Sequence, residues 1–188
     1  MSKAIESRVG REDWLGARKL IRQKLRRAPN DHWLLTRLSL TYYERHEYRK
    51  ALLFSTKALN AAPSCPLVIW DHAGALEMLG QTSKAVPLYR RLIKRGVQRV
   101  ATGRCGEGLR RARGLVADCW YRLAHCYITL GQRNKAVQAY RRHLAMRGVG
   151  CESIYSLRNV RREFNSFWRP STVPNPGMQP TAQRTRRG

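Results

Sequence analysis

The sequence predicts an all-α protein built as an array of paired helices, and three observations support this prediction. Alanine recurs in phase along the chain, at Ala17, Ala51, Ala85 and Ala136. The first three alanines stand 34 residues apart, and the last step is 51 residues. Other columns keep the same phase, and the apolar residues between them follow the spacing of a helix face. A fixed period of about 20 to 50 residues indicates a repeat array in which each unit is one supersecondary element.

The first unit is expected within about residues 1–30. Its second helix carries Ala17 and Ile21, and Pro29 follows the end of that helix. The residues before Ala17 match the repeating columns poorly. The first helix of this unit is therefore expected to be short or degenerate.

The second unit, about residues 31–64, contains both helices. Leu35, Leu38 and Tyr42 are spaced i, i+3 and i+7, which places them on one face of its first helix. A polar break leads into the second helix. Pro63 ends that helix, because proline cannot continue a helix interior.

The third unit, about residues 65–97, follows the same plan. Ala73 lies on its first helix, Gly80 is at the turn, and Ala85 lies on its second helix. Gly96 is well placed to cap the carboxyl end of the second helix, where a left-handed residue is common.

An insertion, about residues 97–116, separates the third unit from the fourth, about residues 117–148. It is expected to form a loop of about ten residues and then an extension of the next helix. Gly103, Gly106 and Gly108 precede an arginine-rich stretch, which raises the alternative of a phosphate cradle. The stretch lacks the Lys-Ser/Thr pair of a P-loop and follows no strand, so a flexible surface loop is favoured.

The chain beyond the fourth unit divides into two segments. Residues 151–168 are amphipathic, with Ile154, Leu157 and Phe164 on the apolar side, and are expected to form the capping helix that the end of a repeat array requires. Residues 169–188 are rich in proline and arginine, have no apolar period, and are expected to be a disordered basic tail. Residues 1–168 are thus expected to form one repeat domain.

The fourth unit shows an ordered set of aromatic, apolar, small and turn residues: Trp120, Leu123, Ala124, Tyr127, Gly131, Ala136 and Tyr140. This order resembles that of the tetratricopeptide-repeat family, and of small bacterial-type members in particular. The second unit matches nearly as well, whereas the third departs at His72 and Val97. The resemblance covers about residues 2–148. It implies a right-handed α-solenoid with a concave groove that binds proteins or peptides.

The formal net charge is +25, and such an excess favours attraction to polyanions. An accessory factor that contacts RNA, DNA or ribosomes through its convex face, insertion and tail is therefore the alternative function. Much of the charge falls on the second helix of each unit, which forms the outer wall in the family. A solvated outer face accounts for much of this charge, and any nucleic-acid contact is expected to be weak and non-specific.

No arrangement of residues predicts catalysis, a cofactor or a metal site. Asp71 and His72 are adjacent on a helix and so do not face each other. Cys119 and Cys126, with His125 adjacent and Cys105 as a candidate further ligand, offer an incomplete set of zinc ligands with a spacing unlike that of known zinc modules. Cysteine is a common core residue in helices, so these thiols are expected to be structural. The protein is expected not to be an enzyme.

The expected binding site is the concave wall formed by the first helix of each unit. The resemblance assigns nine residues to it: Trp33, Arg37, Tyr43, Trp70, Asp71, Glu77, Tyr121, Arg122 and His125. Large exposed aromatics beside polar groups are typical of binding hot spots, and Trp33, Trp70 and Tyr121 fit that description. The acidic residues of these helices make the groove mixed or mildly acidic, which suits a basic or apolar peptide. The carboxylate clamp of some family members is absent.

The amino end has no apolar run of the length found in secretory signals, and no segment is apolar enough to span a bilayer. The five cysteines show no paired spacing, as expected for reduced thiols. A soluble, cytoplasmic protein without membrane contact is therefore expected.

Overall fold

The computed structural model describes residues 2–106 and 108–168. In this part of the chain it contains nine α-helices. They are α1 (Lys3–Gly10), α2 (Trp14–Leu25), α3 (His32–Tyr43), α4 (Tyr48–Ala61), α5 (Pro66–Met78), α6 (Thr82–Thr102), α7 (Leu109–Thr129), α8 (Arg133–Gly148) and α9 (Leu157–Trp168). The prediction of an all-α solenoid is confirmed. The residues predicted to form a disordered tail lie outside the described part.

Successive helices pack against each other, and α3 also contacts α5. The pairs are α1 with α2, α3 with α4, α5 with α6 and α7 with α8, joined by short turns that make the partners antiparallel. All four periodic alanines, Ala17, Ala51, Ala85 and Ala136, are fully buried. Their small side chains allow the close approach of two helices that the repeat requires.

The turns inside the units also keep the repeat phase. The backbone has a positive φ at Glu12, His46, Gly80 and Gly131, with values of 59°, 58°, 72° and 69°. Glycine adopts this left-handed conformation without the steric cost that a Cβ adds. The third and fourth units therefore use the favoured residue, whereas the first two place Glu12 and His46 in the same strained conformation.

The insertion differs from the expected ten-residue loop. Gly96, with φ of 76° and ψ of 158°, kinks α6, and the helix then continues to Thr102. Val100 and Ala101 are buried against Ala112 near the start of α7. Because this second stretch of α6 has its own apolar face, the loop between helices contains only residues 103–108. The helix extension at Leu109 agrees with the sequence analysis.

The final helix begins at Leu157, not at Cys151 as the sequence analysis expected. The preceding residues are not helical, and their backbone groups have partners on α7 and α8. The Ile154 N–H donates to Asp118 Oδ2 at 3.3 Å, and Arg147 Nη1 donates to the Cys151 carbonyl at 2.9 Å. Helix α9 then packs on α8 and buries Val160 completely.

Most of the basic residues on α2, α6 and α8 are exposed, as expected for an outer face. Arg18 is an exception, since only 9% of its surface is exposed. Its Nη2 donates to the Thr41 carbonyl at 2.6 Å and lies 2.9 Å from a Glu47 carboxylate oxygen. Its guanidinium also stacks 3.9 Å from the centre of the Tyr42 ring. Arg18 therefore joins the first two units and is not part of the solvated surface.

No helix in residues 2–106 or 108–168 combines the length and the apolar character that crossing a membrane requires.

Candidate functional site

The nine residues assigned to the concave wall lie on α3, α5 and α7, and the structure divides them into two regions. In the closed region, the side chains contact one another or the carboxyl-terminal segment. It contains Tyr43, Glu77, Tyr121, Arg122 and His125. In the open region, the side chains line cavities that face solvent or lie beside them. It contains Trp33, Arg37, Trp70 and Asp71.

Arg122 is at the centre of a network of hydrogen bonds in the closed region. Its Nε donates to Glu77 Oε2 at 2.8 Å, and both side chains are only 14% exposed. The hydroxyl of Tyr89 donates to the same Glu77 oxygen at 2.9 Å. Arg122 Nη2 lies 3.3 Å from the Tyr43 hydroxyl, which accepts from it. One guanidinium thereby ties together the second, third and fourth units, and its charge is balanced inside the protein.

The carboxyl-terminal segment, residues 151–168, covers Tyr121. Only 7% of this residue is exposed, whereas the sequence analysis expected an exposed aromatic. Its ring centre lies 4.1 Å from that of Tyr155, and its hydroxyl donates to Glu163 Oε2 at 2.8 Å. The Tyr121 surface that a partner would contact is therefore occupied by the protein's own chain.

His125 has the same neighbours. Its Nε2 lies 3.3 Å from Glu163 Oε2 and 3.3 Å from the Tyr140 hydroxyl. Its ring centre is 4.5 Å from that of Tyr121. His125 therefore helps to fix α9 on the end of the solenoid.

The open region begins at Trp33 and Arg37 on α3. The Arg37 guanidinium lies 5.6 Å from the centre of the Trp33 ring, and Arg37 Nε donates to Glu6 Oε1 at 2.6 Å. A cavity of about 220 Å³ next to them is also lined by Thr36 and Leu67. The arginine is thus held in place by α1, and its side chain lines the groove.

A second cavity, of about 450 Å³, continues along the open region to α7. Its apolar walls are Leu67, Trp70, Leu115 and Ile154. Trp70 is anchored edge-on against Tyr89, with the ring centres 5.5 Å apart. Ile154 is 75% exposed, which is unusual for an isoleucine in an ordered segment. The two cavities share Arg37 and Leu67, so they form one continuous surface.

Two carboxyl groups beside the open region have unusual pKa values. Burial raises the pKa of Asp71 to about 7, although the Ser39 hydroxyl and the Arg37 guanidinium act to lower it. Burial also raises the pKa of Asp118 to about 6, despite the hydrogen bond from the Ile154 N–H. Near neutral pH these groups therefore supply less negative charge than their number suggests.

Of the two expected alternatives, a mixed or a mildly acidic groove, the described residues favour the mixed one, for this reason and because other carboxylates have internal partners. Asp31 caps α3 by accepting from the Leu34 N–H at 3.1 Å, and Glu77 pairs with Arg122. Glu152 pairs with Arg110 at the rim of the larger cavity. The groove is thus nearly charge-balanced, and what it offers a ligand is mainly aromatic and aliphatic surface.

Sequence reasoning missed the residues outside the repeat columns that shape the groove. Leu115 and Ile154 complete the larger cavity, and Tyr155 closes the region around Tyr121. Ile154 and Tyr155 belong to the segment that was expected to be helical. The available signal was the pair Gly148 and Gly150 just before this segment, since glycine disfavours a helix.

Comparison with known proteins supports the assignment of the fold. The family model described as a tetratricopeptide repeat matches residues 117–147. The crystal structure of MamA is 17% identical and has a TM-score of 0.61, covering 89% of this chain and 93% of that chain. A fragment of MamA from Desulfovibrio magneticus RS-1 is 15% identical with a TM-score of 0.61, and the match covers 76% of this chain and 71% of that chain.

A search of curated protein sequences gave no match. At the identities above, the likeness to solved structures is a likeness of fold. The matched repeat coincides with α8 and most of α7, and the other helix pairs repeat that unit along the solenoid. Residues 117–147 thus match a tetratricopeptide repeat, and the described chain has the helical solenoid fold of tetratricopeptide-repeat structures.

Proposed function

We propose that the protein is a non-catalytic scaffold that binds a polypeptide segment in the open region of its concave groove. The tetratricopeptide fold generally serves as a scaffold for protein–protein interaction. The proposal adds the location of the site and the chemistry of its ligand. Trp33, Arg37 and Trp70 are its central residues, and Asp71 lies beside Trp70 on α5. The other expected site residues belong to the closed region, which we do not include in the site: Tyr43, Glu77, Tyr121, Arg122 and His125.

The observation that carries the proposal is the continuous apolar surface shared by the two cavities. Leu67 contributes to both, Trp33 lies at one end, and Trp70 and Leu115 lie at the other. Aromatic side chains held rigidly beside paired polar groups are typical of interface hot spots, because they lose little entropy on binding.

The same residues define the ligand. The paired charges leave no concentrated field of either sign, so an acidic carboxyl terminus has no clamp to bind. Arg37 already pairs with Glu6, and Arg110 pairs with Glu152. The ligand that fits is an extended segment that inserts a large apolar side chain between Leu67 and Trp70, with polar residues on either side.

Peptide selection tests this proposal. Peptides selected from a random display library against the full chain should be enriched in aromatic or large aliphatic residues. Trp70→Ala should weaken the binding of a selected peptide by more than about tenfold, since truncating a hot-spot residue costs about 2 kcal/mol or more. Trp168→Ala is the matched control, because Trp168 is 48% exposed and lies on α9, outside the groove. Equal affinity of the Trp70→Ala variant and the wild type would refute the proposed site.

A second candidate function, weak nucleic-acid binding, is favoured by one cleft on the other side of α7. This cleft, of about 490 Å³, lies between α6 and α8 and is lined by Trp120 and Tyr127. Arg90, Lys94 and Lys135 surround it, and all three are exposed. Cations beside aromatic rings suit a single-stranded nucleic acid, because its phosphates contact the cations and its bases stack on the rings.

A salt titration separates the two candidates. Binding of a single-stranded oligonucleotide should weaken steeply with salt and should fall further in an Arg90→Gln/Lys94→Gln variant. Binding of the selected peptide should change little with salt or with these substitutions.

We also propose a cytoplasmic location, because all five cysteines are free thiols and suit a reducing compartment.

A further inference from the structure

Three side chains that are far apart in sequence meet at the edge of the open region. His32 is the first residue of α3, Cys65 is the N-cap of α5, and Cys105 lies in the loop between α6 and α7. Their nitrogen and sulfur ligand atoms all lie within 4.8 Å of one another. Cys105 Sγ is 3.4 Å from His32 Nε2. Cys65 is buried, and the other two residues are half-buried.

The loop holds Cys105 in a specific conformation. Cys105 has a φ of 69°, in the left-handed region that a residue with a Cβ seldom adopts. The neighbouring Gly106 packs tightly on the end of α6, and a Cβ there would lie 2.1 Å from the Ala101 carbonyl oxygen. The Gly106 N–H donates to the Gly103 carbonyl at 2.7 Å. Strained residues of this kind are concentrated at functional sites, where the surrounding structure enforces them.

The spacing of the three ligand atoms suits a tetrahedral metal ion. With Zn–S of about 2.3 Å and Zn–N of about 2.0–2.1 Å, two tetrahedral ligands stand about 3.6 Å apart. The Cys105–His32 separation of 3.4 Å already lies close to this value, and the remaining separations are within 4.8 Å. Small side-chain rotations would therefore be enough to complete the geometry.

We propose that His32, Cys65 and Cys105 bind a zinc ion, with the fourth coordination position facing the 220 Å³ cavity of the open region. Thiolate sulfur and imidazole nitrogen are ligands that zinc prefers. A set of three protein ligands leaves one position for water or for a donor atom from a bound partner.

The proposed ion would connect the starts of α3 and α5 to the inserted loop. All three ligands also line the cavity that contains Trp33 and Arg37. Metal binding would therefore fix one wall of the groove and add a polar ligand position to a surface that is otherwise apolar. The proposal of a zinc site does not rest on the proposed peptide site, because binding of the ion can be measured without any peptide.

Cobalt(II) is the probe for the test. It replaces zinc in such sites, and its absorption spectrum shows the type and the geometry of the ligands that bind it. The full chain, with its thiols reduced and under anaerobic conditions, is titrated with Co²⁺ and then with Zn²⁺. The expected result is one equivalent of Co²⁺ that shows thiolate charge-transfer bands and strong tetrahedral d–d bands, both bleached by Zn²⁺. A spectrum of weak octahedral bands alone would overturn the proposal.

Variants locate the ion. Cys105→Ser and His32→Gln should each weaken Co²⁺ binding by at least about a hundredfold, since removing even an outer-shell partner typically costs about 10- to 100-fold. Cys126→Ala is the matched control, because Cys126 is fully buried in the core cluster that contains Leu123. Wild-type binding by both ligand variants, or an equal loss in the Cys126→Ala control, would contradict the assignment.

Thermal melting supplies a second measurement. Saturating Zn²⁺ should raise the melting midpoint of the wild type in a concentration-dependent way, because the ion binds the folded state. The midpoint of Cys105→Ser should not respond, although its helicity should equal that of the wild type, since the substitution lies in a loop. A Zn²⁺-induced shift of equal size in this variant would overturn the proposed site.

Discussion

The open and closed regions of the concave wall are built by the same three helices, yet only one of them is accessible. Trp33 and Trp70 line solvent-filled cavities, whereas Tyr121 occupies a corresponding wall position and is 7% exposed. The difference is due to Tyr155 and Glu163, which come from the carboxyl-terminal segment. A concave position in a repeat therefore makes a residue available for binding only where the chain itself does not cover it.

The need for a cap explains why the covered region is at this end. Each unit buries its apolar face against the next, and the last unit has no successor. Residues 151–168 act as that successor and use the polar groups of α7 as attachment points, among them Asp118 and His125. Among residues 2–106 and 108–168, no segment covers the concave side of the first units in this way, and Glu6 of α1 only fixes Arg37 at the edge.

The largest effect is expected in the closed region, from Glu77→Gln. This change leaves the Arg122 charge buried without its carboxylate partner and should reduce the free energy of unfolding by about 3–5 kcal/mol. Urea denaturation monitored by circular dichroism measures the loss. Glu44→Gln is the control, since Glu44 is exposed at the end of α3.

The double variant Glu77→Gln/Arg122→Met should recover a large part of that stability, because it removes both charges together. A loss below about 1 kcal/mol for Glu77→Gln, relative to its control, would mean that Arg122 is solvated and that the closed region is open after all.

Removing the cover should have an intermediate effect. Tyr155→Ala deletes the ring stacked on Tyr121 and should cost about 2–3 kcal/mol of stability. Binding of a peptide selected for the open region should not change. Ile154→Ala is the stability control, since Ile154 is mostly exposed and its truncation should stay within about 0.5 kcal/mol. A gain of peptide affinity in Tyr155→Ala would show that the closed region also belongs to the binding site.

A smaller, pH-dependent effect is expected at Asp71. Its pKa is about 7 in the folded protein against 3.8 as the ordinary value, so between about pH 4 and pH 7 the folded state keeps a proton that the unfolded state has released. The contribution of Asp71 to the free energy of unfolding therefore falls as pH rises through that window and is constant above it.

The substitution Asp71→Asn removes the loss of stability that the wild type shows as pH rises. The stability of the variant relative to wild type should rise by about 1–2 kcal/mol from pH 4 to pH 8, less than the full shift because the side chain keeps some contact with water. Glu12→Gln controls for the change in net charge, because Glu12 is exposed in the turn between α1 and α2. A difference that is constant with pH would mean that Asp71 is not buried as described.

The sequence predicted what depends on packing within a unit. Ala51 and Ala85 are buried where their 34-residue spacing indicated, and Gly80 and Gly131 adopt the positive φ of the expected turns. Local periodicity carries this information, because each column reflects the same contact made again in the next unit.

The sequence did not predict contacts between distant segments that have no period. Tyr121 and Glu163 are 42 residues apart, and Cys105 and His32 are 73 residues apart. Nothing in the repeat pattern relates these pairs. The late start of α9 has the same origin, since the hydrogen bond from the Ile154 N–H to Asp118 replaces the helical backbone bonds of that segment.

The most direct test of peptide binding in the open region uses the indole N–H signals of the five tryptophans in a ¹⁵N–¹H spectrum. The signals of Trp33 and Trp70, assigned by substitution, should shift when a selected peptide is added, because these two rings line the open region. The signals of Trp14, Trp120 and Trp168 should remain in place. Shifts confined to Trp120, with Trp33 and Trp70 unchanged, would contradict the account and move the site to the cleft between α6 and α8.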